Sequence, residues 1–137
     1  MRLSALLTVP LAVGALLGGA ASPAAADVGG VTLTNADNGR TLTVQSGTDL
    51  QVRLAGSRSA HATWTWSPPT ADDPEVADRV AALTSEDGSA MADFRMQEPG
   101  TTGITAYERC VPRAARACPH LVVLWKVTIR VQDDPAR

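Results

Sequence analysis

Two cysteines, Cys110 and Cys118, are the residues with the clearest capacity for chemistry, because they are the only thiols and lie eight positions apart. The segment around them, "RCVPRAARACPH" (Arg109–His120), also contains three arginines and two prolines. Such a pair can form a disulfide, supply a nucleophile or bind metal. A catalytic cysteine would need a basic partner, for which the chain offers only His61 and His120. A metal site would need more ligands at closer spacing.

The compartment decides between these chemistries, and the N-terminal segment Met1–Ala26 indicates export. Arg2 precedes an apolar run, and Ala24-Ala25-Ala26 offers an Ala-x-Ala cleavage site before Asp27. A membrane span is the alternative, but the run is short and interrupted by glycine and proline. We therefore predict a secretory signal peptide over residues 1–26 and a single secreted domain over residues 27–137. No membrane insertion is expected after cleavage.

Secretion favours a disulfide between Cys110 and Cys118, because thiols persist poorly in oxidising compartments. Free thiols, and a catalytic or metal-binding pair, are the alternatives. Closing so short a loop should stabilise the fold by about 2–3 kcal/mol in the chain-entropy model. We expect the pair to stiffen a loop rather than to perform chemistry, and we predict no cofactor and no metal.

Alternating apolar residues predict the strands that hold this loop. Every odd position of Leu121–Val131 is apolar, which is typical of a long, half-buried strand. Shorter patterns, separated by turn residues, predict further strands in Val31–Thr34, Arg40–Gln45, Asp49–Leu54, His61–Trp66, Met91–Gln97 and Thr101–Arg109. About seven short strands in a chain of this size favour an all-β fold, an immunoglobulin-like antiparallel β-sandwich.

The middle segment Ser67–Leu83 does not alternate. Asp73-Pro74-Glu75 has the features of a helix N-cap and an acidic first turn, followed by apolar residues at helical spacing. We predict a short helix or helical turn, continued by a strand over Val80–Thr84. The nearby carboxylates could suggest calcium, but they lack the alternating carboxylates and the glycine of a calcium loop. A solvated helix start explains them better.

The tryptophans pose a choice between core and binding surface. Trp64 and Trp66 lie two apart in a predicted strand and should share a face, as a carbohydrate-binding pair would. A sandwich with one Phe and one Tyr nevertheless needs bulky core residues. We predict core packing for Trp64 and Trp125. For Trp66, at the strand end before Ser67-Pro68-Pro69, the sequence does not decide between core packing and an exposed binding surface.

Composition and motifs favour a binding protein over a catalyst. The sequence contains no Gly-x-Ser-x-Gly, no His-Glu-x-x-His and no glycine-rich phosphate loop. A formal net charge of -2 argues against nucleic acid as a partner. We predict that the chain is not an enzyme, with an undetected hydrolase as a remote alternative.

The order of strands and loops resembles the chagasin-type inhibitors of papain-like cysteine peptidases over nearly all of the mature chain. Hydrophobic alternation is shared by many sandwiches, so the order and spacing of the segments carry the resemblance. Those segments are "NGRTLTVQSGTDLQVRL" (Asn38–Leu54), Trp64, "DGSAMADFRM" (Asp87–Met96), "EPGTTGI" (Glu98–Ile104), "YER" (Tyr107–Arg109) and the terminal strand.

The resemblance implies that three loops at one end of the sandwich enter a peptidase cleft without offering a cleavable bond. The family signatures are Asn-Pro-Thr-Thr-Gly, Gly-x-Gly-Gly and Arg-Pro-Trp. The corresponding residues here are Ser57-Arg58-Ser59-Ala60-His61, Ser85-Glu86-Asp87-Gly88 and Arg109-Cys110-Val111. Only Gly88 and Arg109 match by type, so the resemblance implies binding roles for these two alone. Val111 cannot replace the aromatic ring of the third signature, the kind of anchor that dominates interface energies.

We therefore expect a secreted, monomeric domain that binds a protein, such as a papain-like or other secreted peptidase. The predicted binding loops are Ser57–His61, Ser85–Ser89 and Arg109–His120. The segment Arg109–Arg130 contains no carboxylate, so it could steer an acidic partner, although surface arginines could equally serve solubility. The alternative is an extracellular structural or glycan-binding module that uses Trp66 and the arginines.

Overall fold

The chain folds into ten strands within residues 30–133 and Pro135, the part that the computed structural model describes. The predicted signal peptide, Met1–Ala26, and the predicted domain start at Asp27 lie outside these residues. The strands are β1 (Val31–Leu33), β2 (Thr41–Gln45), β3 (Asp49–Leu54), β4 (Ser57–Arg58), β5 (Ala62–Trp66), β6 (Thr70–Ala71), β7 (Ala77–Thr84), β8 (Ala90–Met96), β9 (Gly100–Pro112) and β10 (Val122–Gln132). A single 3-10 turn, Asn35–Asp37, connects β1 to β2 within this range.

The strands form two sheets, and the predicted all-β, immunoglobulin-like sandwich is confirmed. One sheet has the order β1-β3-β8-β7, and the other has the order β2-β10-β9-β5-β4, with β6 paired to β9. Two neighbouring pairs, β1 with β3 and β2 with β10, are parallel. The other pairs are antiparallel, as predicted. The two parallel pairs were not foreseen, because residue alternation reveals which face of a strand is buried but not the direction of the neighbouring strand.

The core lies between the two sheets, and β10 shows how far it extends. Trp125, Val127, Ile129 and Val131 are buried in alternation, whereas Leu121 remains 62% exposed. The predicted half-buried pattern thus holds for only part of the segment. The reason is geometric, since β9 and β10 extend past the end of the four-stranded sheet.

The indole rings of Trp66 and Trp125 each donate a hydrogen bond from one sheet to the other. Trp66 Nε1 donates to the carbonyl oxygen of Ala55, just after β3, at 3.0 Å. Trp125 Nε1 donates to the carbonyl oxygen of Thr34, just after β1, at 3.1 Å. Both side chains are buried, while Trp64 is half-buried. The prediction of core packing is confirmed for Trp125 and wrong for Trp64. Trp64 lies two residues further than Trp66 toward the end of the sandwich at which Leu121 is exposed, so it is only half-buried.

The middle segment contains a single helical turn. The carbonyl oxygen of Asp73 accepts hydrogen bonds from the backbone N–H groups of Val76 and Ala77, and Asp73 Oδ1 accepts one from Glu75 N. Strand β7 begins at Ala77, so the helical spacing beyond Val76 does not correspond to a helix. The predicted strand is confirmed and begins three residues earlier than Val80.

Candidate functional site

The three predicted binding loops lie at one end of the sandwich. The first loop (Ser57–His61) comprises β4 and the turn into β5, and the second loop (Ser85–Ser89) connects β7 to β8. The third loop (Arg109–His120) comprises the end of β9 and most of the link to β10. These connections reverse the chain direction at the same end, so the topology alone places the loops side by side.

Backbone contacts tie the first loop to the third. Arg113 N donates to the carbonyl oxygen of His61 at 2.9 Å, and Arg113 Nη1 donates to the carbonyl oxygen of Ser59 at 2.7 Å. Ser59 also organises its own loop, because its Oγ accepts hydrogen bonds from His61 N and Ala62 N. Arg113 is therefore occupied with positioning the two loops relative to each other.

The second loop is a tight hairpin turn. Gly88 N donates to the carbonyl oxygen of Ser85 at 3.0 Å, Ser85 N donates to that of Ser89 at 2.9 Å, and Gly88 has a φ of 90°. This is the three-residue hairpin connection in which glycine takes the left-handed position. Asp87 Oδ1 accepts a hydrogen bond from Ser89 N, and this bond lowers the pKa of the Asp87 carboxyl.

Gly88 also links the second loop to the opposite sheet. Its carbonyl oxygen accepts a hydrogen bond from Trp66 N at 2.9 Å. A methyl group on Gly88 would overlap the carbonyl oxygen of Trp64, and one on Gly56 would overlap the Gly88 backbone. Ser89 Oγ accepts a hydrogen bond from Gly56 N at 3.2 Å. The glycine that matches the family signature therefore has a structural role that its spacing in the sequence did not reveal.

Arg109 lies in strand β9 rather than in a loop. It pairs with Val122 on β10 and with Thr65 on β5, and its side chain is exposed. The predicted strand Thr101–Arg109 continues to Pro112 because β5 pairs with it to that residue. The expected loop start at Arg109 is thus corrected, and the irregular part of the third loop begins at Arg113.

The predicted disulfide is present between Cys110, at the end of β9, and Cys118, on the returning segment, with 6.0 Å between the Cα atoms. The turn inside it is unusual. Arg116 N donates to the carbonyl oxygen of Arg113, and the two central residues, Ala114 and Ala115, have φ values of 52° and 55°. This geometry is that of a type I′ turn, which normally takes Asn-Gly or Asp-Gly. The sequence carried no such signal, so sequence reasoning missed the turn.

The third loop presents basic side chains to solvent. Arg109 and Arg116 are exposed, and no carboxylate occurs between Arg109 and Arg130. Glu108, which precedes this segment, is half-buried opposite Trp66 and Val123, and burial raises the pKa of its carboxyl. An open cleft of about 410 Å³ runs along the disulfide, beside Pro119 and His120. The arrangement is suited to contacting a partner surface.

Between Gly30 and Asp133 no group of three or more His, Cys, Asp or Glu side chains is arranged to hold a metal ion. No helix in that part of the chain is long and apolar enough to span a bilayer.

No protein-family model and no curated protein sequence matches this chain. Solved structures do match. The cysteine protease inhibitor EhICP2 from Entamoeba histolytica has a TM-score of 0.55 and 11% identity, with 76% of this chain and 96% of that chain covered. Amebosin has a TM-score of 0.45 and 16% identity, over 75% and 98% of the two chains. PbICP-C, solved in complex with falcipain-2, has a TM-score of 0.43 and 12% identity, over 75% and 91%.

The likeness to EhICP2 shows that this chain has the fold of a chagasin-type inhibitor. The resemblance inferred from the order of strands and loops is therefore confirmed for the fold.

Proposed function

We propose that this chain is a secreted protein that binds a peptidase and inhibits it by inserting loops into its cleft, as a divergent cysteine-peptidase inhibitor. One observation carries the proposal: three loops from both sheets meet at one end, where Arg113 bonds the third loop to the first and Gly88 bonds the second loop to strand β5. The fold that the chain shares with EhICP2, a cysteine protease inhibitor, supports it.

Preorganisation is the physical reason why such an end could bind tightly. A loop that is ordered before binding loses little conformational entropy on association. The disulfide closes the third loop, and the two hydrogen bonds from Arg113 fix it against the first loop. The exposed arginines would draw an acidic cleft toward this end and raise the association rate.

The turn inside the disulfide is poorly suited to cleavage. A segment that binds in a groove by strand addition must be extended. Ala114 and Ala115 are both left-handed, so the tip of the third loop cannot lie extended without breaking the turn. This supports occlusion of a cleft over presentation of a substrate bond.

The two family-matched residues would contribute differently. Gly88 would act through the backbone, because it holds the second loop against β5. Arg109 would contact the partner directly, since its side chain is exposed on the strand that carries the third loop. Val111 offers a much smaller surface than the aromatic residue of the family signature, so we expect the third loop to bind mainly through charge.

The test is a titration of the oxidised mature domain against papain-like and other secreted peptidases. We expect stoichiometric inhibition of at least one enzyme, weakened by Arg116→Glu in the third loop. Arg130→Glu is the matched control, because Arg130 is also exposed and pairs with Thr101 at the opposite end of the sandwich. Failure to inhibit any enzyme of the panel would overturn the proposal.

The glycan-binding alternative loses its main residue. Trp66 is only 5% exposed and its indole N–H is bonded to Ala55, so it cannot stack on a sugar. A purely structural module is what absence of inhibition would favour. Secretion itself would be checked by N-terminal sequencing of the exported protein, which we expect to begin at Asp27.

A further inference from the structure

The exposed apolar side chains are concentrated on one part of the molecule, which we call the arm (Tyr107–Leu124), consisting of the end of β9, the third loop and the start of β10. Among the described residues, eight large hydrophobic side chains are exposed, and six of them lie on the arm. They are Tyr107, Val111, Leu121, Val122, Val123 and Leu124, with exposed fractions between 43% and 62%. Exposed apolar surface concentrated in this way marks an interaction site.

Strand register separates the two faces of the arm. Ala106 and Trp125 are buried and point toward the core, so the residues next to them along each strand point outward. Tyr107 pairs with Leu124, and Arg109 pairs with Val122. These four side chains therefore form one outer face, an apolar strip with an arginine at its side. Aromatic and arginine side chains of this kind are enriched at protein interfaces.

The charges of the arm indicate which partner this face fits. A second copy of the chain is disfavoured, because two arms would bring their exposed arginines together, whereas the one carboxylate of the arm, Glu108, is half-buried beside Trp66 and Val123. Insertion into a membrane is also disfavoured. The tip carries Arg113 and Arg116, and the apolar side chains lie behind it, so insertion would bury these cations first.

We infer that the outer face of the arm, formed by Tyr107, Arg109, Val122 and Leu124, is a second docking surface that packs against the body of the same peptidase beside its cleft. The inference rests on the proposed function, because the third loop at the tip of the arm would bring the peptidase to this face. The matching surface on the enzyme is apolar at its centre and acidic at its rim.

The experiment compares two valines with the same exposure. Val122 on the arm and Val80 on β7 are each 57% exposed, so Val122→Glu and Val80→Glu introduce the same charge into equally exposed strand positions. Leu124→Thr is a second arm variant that keeps a good strand former. The probe is papain, or the panel enzyme that the wild-type domain inhibits most strongly. We expect Val122→Glu to weaken inhibition by about tenfold or more and Val80→Glu to leave it within about twofold.

The outcomes separate the two proposals. Inhibition by the wild type that survives both arm variants overturns the docking surface and leaves the proposed function standing. Absence of inhibition by the wild type overturns both. If Val122→Glu lowers the melting temperature, its loss of inhibition could come from unfolding, and Leu124→Thr then provides the test. Retained inhibition by Leu124→Thr would count against the docking surface. Binding of the wild type to anionic phospholipid vesicles, lost in Val122→Glu while inhibition is unchanged, would replace the peptidase by a membrane.

Discussion

The carbonyl oxygen of Gly88 accepts a hydrogen bond from the backbone N–H of Trp66 at 2.9 Å, and this bond joins a turn of one sheet to a strand of the other. Strand β4 pairs with β5 only at Thr63 and Trp64, so Gly88 takes over the edge of β5 where β4 ends. The second loop is thereby fixed in place beside the first. The position of the loops at this end depends on close packing of backbone as well as on side chains.

Gly88→Ala should destabilise the fold more than Gly39→Ala. Both glycines have positive φ, which costs an alanine about 1–2 kcal/mol. A methyl group on Gly39 meets nothing within 4 Å, whereas on Gly88 it overlaps the Trp64 carbonyl. Overpacking adds about 1–3 kcal/mol at Gly88. Urea unfolding of both variants measures the difference, and equal losses would contradict the packing argument.

Replacing both cysteines by serine should lower the free energy of unfolding by about 2–3 kcal/mol. Under the proposed function, the same variant should inhibit more weakly, because an open third loop must be ordered on binding. Urea unfolding and inhibition titrations check the two effects separately. Mass spectrometry of the untreated protein after alkylation is the control, and two modified thiols in it would remove the basis of this prediction.

Ala115→Gly should stabilise the protein, since glycine adopts a left-handed backbone without the cost of about 1–2 kcal/mol that alanine bears. Part of this gain is offset by the greater freedom of glycine in the unfolded chain. Ala117→Gly, inside the same disulfide but without a positive φ, is the matched control and should be neutral or destabilising. A melting temperature that rises for the second variant and not for the first would refute the assignment of the turn.

Trp66→Phe should cost about 1–3 kcal/mol, because it removes a buried hydrogen bond and part of a buried ring. The Ala55 carbonyl would keep its second donor, Asn35 Nδ2 at 3.1 Å, which limits the loss. Trp64→Phe should cost less, because Trp64 is only half-buried. Chemical denaturation of the two variants gives the order of the effects, and the reverse order would show that Trp64 carries the packing.

Glu108→Gln should stabilise the protein near neutral pH and have no effect in acid. Burial raises the pKa of this carboxyl in the folded state, so ionised Glu108 opposes folding. The wild type recovers the lost stability as pH falls through the folded-state pKa and below the unfolded one. The difference in melting temperature between variant and wild type should therefore shrink toward zero on acidification.

Asp37→Asn should change the stability at neutral pH in the opposite direction to Glu108→Gln. The backbone N–H of Thr34, at 2.7 Å from Oδ2, and then the Arg40 side chain lower the pKa of Asp37, so its ionised form favours folding. This contribution is present above the unfolded-state pKa and is lost as pH falls through the folded one. Asp37→Asn should thus destabilise at neutral pH. The same pH series of melting temperatures that tests Glu108→Gln measures this effect, and a melting temperature of Asp37→Asn above that of the wild type at neutral pH would contradict the prediction.

Much of this fold could be predicted from the sequence, because buried strands leave alternating residues and turns leave glycine, proline and aspartate. Every segment that was predicted to be a strand contains one. What alternation could not supply was context. It does not show that β2 lies parallel to β10, or that the sandwich ends near Trp125 and leaves Leu121 exposed.

The candidate site was predictable in its placement and less so in its detail. The resemblance indicated three loops that do lie side by side, and the disulfide expected between the two cysteines is present. The roles of individual residues depend on contacts between distant segments. Nothing in the local sequence shows that Gly88 packs on Trp64, that Arg113 bonds to the carbonyl of Ser59, or that an Ala-Ala pair adopts a left-handed turn.

The parallel pairing of β2 with β10 has a consequence for how the chain reaches its native state. Thr41–Gln45 lies near the start of the described chain and Thr128–Gln132 near its end. The larger sheet therefore cannot be completed until β10 has been synthesised. Pairings between such distant segments slow folding, because a long loop must close before they form.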